Sequence, residues 1–233
     1  MTIGLNSTSL GELKSISARL PAGTPWQLPP YYSRSAFSVF SHRMGCMQQP
    51  QRVPIILVLG GVRSGKSRFG QRIAERASRV TFVATAERRD DSEMHAKIER
   101  HRSERPKKWL TIEEPLYLAR TIRDAGNDCD VLLIDCLTLF AANLLEAHGE
   151  DAVQLQAYVE ELCEALRSAP CSVVLVSNEV GSGVVPAYEL GRRFRDLVGE
   201  INQRVASVAD TVLLMVAGLP LALKGTIPPE VRS

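Results

Sequence analysis

Apolar positions in this chain come in short runs separated by longer stretches of helical period, a pattern that predicts strands joined by helices. The runs are 55–59, 80–84, 131–134, 172–177 and 211–216, each short and rich in β-branched residues. Between them, 68–77, 91–102, 115–125, 137–147, 153–167 and 187–208 read as helices, with Pro115 at a first helical position. A further short apolar run, 221–223, follows the turn at Gly218 and Pro220. Strands alternating with helices imply right-handed crossovers and a mostly parallel sheet with helices on both faces, an α/β fold. Leu139, Phe140, Leu144 and Leu145, at helical spacing, read as core or subunit interface.

Residues 1–53 break the pattern. They are rich in Ser and Pro, hold Glu12 as their one acidic residue and keep no period of 2 or 3.6. The expectation is a disordered or loosely attached extension, with one domain over 54–225 and a short tail over 226–233. Lys14, Arg19, Arg34 and Arg43 give it a faint likeness to a transit peptide, but no amphipathic helix accompanies them. Translation from Met44 or Met47 would begin just ahead of the first strand.

The run 55–59 empties into Gly60, Gly61, Val62, Arg63, Ser64, Gly65, Lys66 and Ser67, which is G-x-x-x-x-G-K-S. After a buried strand and before a helix this is a P-loop. Its backbone N–H groups turn inward around phosphate, Lys66 supplies a point charge and the Ser67 hydroxyl can ligate Mg²⁺. Asp135 ends the run 131–134, where a strand-tip carboxylate can orient the same ion directly or through water. P-loop and strand-end aspartate together imply a nucleoside triphosphate and Mg²⁺.

The polar block Glu99-Arg100-His101-Arg102-Ser103-Glu104-Arg105-Pro106 sets one histidine among three arginines. It reads either as a solvated basic face or as a transfer site. In the second case the arginines offset phosphoryl charge and the neutral imidazole attacks an α-phosphorus.

Composition changes this picture little. Of 233 residues, 45% are hydrophobic and 23% charged, which is ordinary for a globular chain. A formal charge of +2, without basic blocks, does not argue for nucleic acid or an anionic membrane. No apolar run approaches the roughly 18 to 20 residues of a membrane span. Five cysteines without a C-x-x-C signal neither a disulfide framework nor zinc, so a cytoplasmic location is expected.

The segments around 59–67, 82–86, 91–94, 100–109, 133–138, 177–186 and 195–203 also occur together in one family. The sequence closely resembles the bifunctional adenosylcobinamide kinase / adenosylcobinamide-phosphate guanylyltransferases of cobalamin biosynthesis, over about residues 54–225. The resemblance implies a RecA-like P-loop NTPase fold, with phosphorylation of adenosylcobinamide by ATP or GTP. Transfer of GMP from GTP to adenosylcobinamide phosphate follows, giving adenosylcobinamide-GDP and pyrophosphate. The guanylylated histidine falls on His101, and His95 lies outside the Arg-His-Arg block. Nucleotide contacts fall on Gly60 to Ser67, Thr85, Ala86, Glu87, Arg102, Ser103, Glu104, Arg105, Glu113 and Asp135, and a homo-oligomer is implied. Neither pattern nor resemblance names the general base of the kinase step, for which Glu179 and Asp196 are guesses. Asn178 and Glu179 at the end of 172–177 read equally as a turn or as a contact to nucleotide or corrinoid. Three other activities fit the P-loop alone: a plain small-molecule or nucleoside-monophosphate kinase, a nucleotide switch, and a guanylyltransferase without a kinase step.

Overall fold

The computed structural model describes residues 53–86, 106–149 and 151–231. The strands are β1 (Ile55–Gly60), β2 (Val80–Ala84), β3 (Leu110–Glu113), β4 (Val131–Asp135), β5 (Ser172–Asn178), β6 (Thr211–Val216) and β7 (Leu219–Lys224). Among the described residues the helices are α1 (Lys66–Ala74), α2 (Leu118–Ala125), α3 (Leu137–His148), α4 (Ala152–Arg167) and α5 (Glu189–Val208). The predicted helix over 91–102 lies outside the described residues.

One seven-stranded sheet has the order β3-β2-β4-β5-β1-β6-β7. Every pairing is parallel except that of β6 with β7. β7 closes the edge as an antiparallel return after a tight turn in which Ala217 and Gly218 take positive φ of 51° and 85°. Pro220 is tolerated there because an edge strand can dispense with one ladder donor.

Alternate residues of the buried strands supply two separate cores, as the two-residue period of a strand requires. Ile55, Leu57, Leu132, Ile134, Val173 and Leu175 face α2, α3, α4 and α5. Ile56, Val58, Leu133, Val174 and Val176 face Phe69 and Ala74 of α1, together with Trp109 and Val231. Of the four residues expected to be core or interface, Phe140, Leu144 and Leu145 are buried.

The predicted order of strands and helices is present in the described segments, with three differences. The helix expected from Pro115 starts at Leu118 with Tyr117 as N-cap, so Pro115 lies ahead of the helix and not at its first position. The helix after the P-loop ends at Ala74, ahead of the expected 77, in a run of turns through Ala77. A strand not expected from the pattern, β3, covers the outer edge of β2. Its four residues Leu-Thr-Ile-Glu are mostly exposed, so they lack the continuous apolar run that marks the inner strands.

Candidate active site

The parallel strands end on one edge of the sheet, and the residues singled out from the sequence collect there. Cross-strand register puts Gly60 of β1 opposite Asn178 of β5, and Ala84 of β2 opposite both Glu113 of β3 and Asp135 of β4. Ligands of open parallel sheets sit outside these carboxyl ends. β5 alone separates the P-loop strand from the Asp135 strand, so their axes lie roughly 10 Å apart, two strand spacings. That gap suits a phosphate with its metal ion.

The P-loop is a closed turn. Ser64 N donates to Gly61 O at 3.2 Å, and Gly218 N of the β6–β7 turn donates to Ser64 O at 3.0 Å, binding the loop to the neighbouring hairpin. Gly60 is required by close approach: a Cβ there would lie 2.5 Å from Ser64 Oγ and 2.7 Å from Met215 O. Gly65 adopts φ 93°, a left-handed position natural to glycine, and its carbonyl receives Phe69 N at 2.9 Å to start α1. Lys66 is buried, and its Nζ donates to Gly61 O at 3.0 Å, folding the ammonium over the mouth of the loop. Ser64 Oγ is buried without a hydrogen-bond partner. Ser67, in the first turn of α1, stays half-exposed.

α1 lies directly on the sheet because residue 70 is glycine. A Cβ at Gly70 would meet Val176 at 3.1 Å and Leu133 at 3.3 Å, side chains of β5 and β4. The helix bearing Lys66 and Ser67 therefore passes over the strand whose tip carries Asp135. The pair offers one hydroxyl and one partly exposed carboxylate, the hard oxygen donors that suit Mg²⁺ when phosphate and water complete the octahedron.

The tips themselves are fastened by buried polar side chains. Thr85 is fully buried, and its hydroxyl accepts from Cys136 N and donates to Cys136 O, both at 2.7 Å. It thus holds the chain where Asp135 leaves β4. Asn143 of α3 donates to Thr85 O at 2.8 Å and to Pro115 O at 3.1 Å. Thr138 Oγ1 accepts from Asn178 N at 2.8 Å, and Asn202 of α5 donates to Asn178 O at 3.0 Å. Glu179 N donates to Gly60 O at 3.0 Å, joining the end of β5 to the start of the P-loop. The Glu179 carboxylate accepts from Gly181 N at 2.7 Å and so also shapes the turn. The Cys136 thiol is pushed up to about 11 by burial and then by the Asp135 carboxylate, which keeps it protonated and unreactive at neutral pH.

The structure thus brings Gly60, Lys66, Ser67, Thr85, Ala86, Glu113 and Asp135 to one edge. His101, Arg100, Glu87, Arg102, Ser103, Glu104 and Arg105 lie outside the described residues. Sequence reasoning gave no role to Asn143. Its signal was a polar residue on the buried side of the otherwise apolar stretch Leu-Thr-Leu-Phe-Ala-Ala-Asn-Leu-Leu.

A phosphate-cradling loop on an inner strand of a mostly parallel sheet, with an acid two strands away, defines a P-loop NTPase fold. Within that class, residues 56–223 match the family described as cobinamide kinase / cobinamide phosphate guanyltransferase, and the chain belongs to it. It is 46% identical over 170 residues to the bifunctional adenosylcobalamin biosynthesis protein CobP of Pseudomonas aeruginosa, covering 72% of this chain and 96% of that one. The bifunctional CobU proteins of Escherichia coli and Salmonella typhimurium are each 40% identical over 181 residues, with 73% of this chain and 99% of theirs covered. Among solved structures, an ATPase of the type III secretion system of pathogenic bacteria superposes with a TM-score of 0.46 at 16% identity, over 77% of this chain and 60% of that chain.

Proposed function

We propose that this chain carries both activities for which its family is described: phosphorylation of adenosylcobinamide by ATP or GTP, then transfer of GMP from GTP to the resulting phosphate. The observation that carries the reading is the P-loop joined at Gly60 to the tip of β5, with Asp135 beyond, in a chain aligned with bifunctional relatives over nearly their whole length.

In the kinase half, the P-loop amides and Lys66 hold the β- and γ-phosphates, and the acceptor hydroxyl takes the γ-phosphoryl group in line, so positioning and charge neutralisation supply most of the rate. Ser67 and Asp135 would hold Mg²⁺, which when bound offsets phosphate charge. In the guanylyl half, His101 attacks the α-phosphorus of GTP, the bond to the β-phosphate oxygen breaks and pyrophosphate leaves. The phosphate of adenosylcobinamide phosphate then displaces the imidazole, which departs neutral. Arg100, Arg102 and Arg105 offset the charge that gathers on the phosphorus oxygens.

The test is labelling with GTP carrying ³²P at the α-phosphate, followed by denaturation. Wild type should retain label that survives base and is released by acid. His101→Ala should retain none while still phosphorylating adenosylcobinamide, and Lys66→Ala should lose both activities by at least about a hundredfold. Label in the His101→Ala protein would redirect the assignment to His95. Phosphorylation without any labelling of wild type would leave a plain kinase.

A further inference from the structure

We propose that the segment from the end of β5 into the first turn of α5, residues 179–190, is the seat of the corrinoid acceptor, an apolar ledge for the macrocycle beside a cavity that presents charged and amide groups to its amide rim. The proposal rests on the kinase reading above and names the residues that would grip its substrate.

The segment begins at the nucleotide site. Glu179, its first residue, donates its amide to Gly60 O at the root of the P-loop. A large acceptor whose hydroxyl must reach the γ-phosphate has to lie over a neighbouring strand tip, and this segment leaves one.

Its surface is wrong for a solvated loop. Val184, Val185, Tyr188 and Leu190 are 95%, 60%, 69% and 61% exposed within seven residues. Such a patch marks an interaction site more often than a chance of composition. It is also braced. Arg192 Nη1 donates to Pro186 O at 3.1 Å and to Ala187 O at 2.8 Å, fixing the backbone that presents the valines and the tyrosine. Gly191 lies against the Tyr188 ring so closely that a Cβ there would be 2.7 Å from a ring carbon and 2.8 Å from Pro186. The ring is therefore supported from beneath and open above. A braced apolar surface lowers the cost of ordering on binding, and it suits a macrocycle with apolar faces.

A cavity of about 370 Å³ opens beside the same segment, lined by Gly181, Arg195, Asp196, Gly199 and Gln203 among others. Arg195 and Asp196 pair with each other at 3.0 Å, so the cavity offers donors and acceptors in balance without a dominant charge. That is the complement of neutral amide side chains, and a poor complement of a free anion. Asn202, on the same stretch of α5, ties this wall to Asn178 at the tip of β5, so ledge, cavity and P-loop share one support.

The decisive experiment uses full-length protein with Tyr188→Ala and with the double variant Val184→Ser/Val185→Ser, all exposed positions whose change leaves the core intact. Phosphorylation of cobinamide is followed at varied cobinamide and varied ATP, and native mass is measured by sedimentation. The KM for cobinamide should rise on the order of tenfold in each variant, with the KM for ATP and the native mass unchanged. An unchanged KM for cobinamide overturns the proposal. A fall in native mass also overturns it, assigning the ledge to a second copy of the chain. Should wild type fail to phosphorylate cobinamide, the kinase reading falls by itself. Equilibrium dialysis of cobinamide, read by its visible absorbance, then decides the ledge: binding weakened by Tyr188→Ala supports it, and no binding or equal binding overturns it.

Discussion

At the scale of single residues, Thr85 has the most unusual position. It directly follows β2, and its hydroxyl is committed to both backbone groups of Cys136, the residue after Asp135. Thr85→Val keeps the volume and removes the hydroxyl, leaving the buried Cys136 N–H without a partner while Cys136 O keeps the Phe140 amide. The loss should cost about 2 kcal/mol, read as a lower urea midpoint with an unchanged m value. Sequence reasoning selected Thr85 as a nucleotide contact by resemblance. What it could not read is that one hydroxyl would face a peptide 51 residues away, because that meeting depends on β2 and β4 pairing in a register no local pattern specifies. The P-loop was legible because its function is local: glycines, lysine and serine within eight residues make the cradle with little outside help.

At the scale of elements, α1 and its glycine decide how the P-loop lies against the strand that carries Asp135. Gly70→Val adds a branched side chain where Val176 and Leu133 already stand within 3.1–3.3 Å of a simple Cβ. Overpacking of this kind should cost about 1–3 kcal/mol and lift α1 from the sheet, so nucleotide affinity should fall along with stability. Titration with a fluorescent ATP analogue together with urea unfolding checks both. Unaltered affinity in a destabilised variant would show that helix and loop move independently. In the sequence, Gly70 reads only as a weak position in a helix. Its use appears once the helix is laid on two strands that follow it in the chain by about 60 and 100 residues.

Across the whole molecule, the sheet has an acting edge and a structural edge. At the latter, opposite the strand tips of the site, Arg79 before β2 binds Asp130 before β4. Arg79 Nη2 donates to Asp130 Oδ1 at 2.7 Å and its backbone N–H to Oδ2 at 2.9 Å. The Arg79 side chain, then its backbone amide, hold the Asp130 carboxyl below its ordinary value of 3.8. A depressed folded value means a contribution to stability that is present above pH 3.8 and lost as pH falls through the lower folded value. The pair is exposed and the effect correspondingly modest. Asp130→Asn should unfold more readily than wild type at pH 6, the difference should close toward pH 2.5, and kinase activity at neutral pH should not change. Urea midpoints across that range test the sign.

The sequence by itself determined the α/β class, five of the seven described strands with near-correct bounds, the P-loop and the acid at the end of β4, because each is written in contiguous residues. Short apolar runs, a glycine-rich turn and an acid at a strand end are local patterns with local physical causes. Only the tertiary structure decided that β5 stands between the P-loop strand and the acidic strand, and that β3 covers an edge. It alone brings Thr85, Asn143, Thr138 and Asn202 together to fasten the strand tips. It also places Cys129 and Cys171 at 3.7 Å, across two strand entrances. Each of these depends on which distant segments become neighbours. That choice is made by burying every apolar face at once, and no single stretch of the chain contains it.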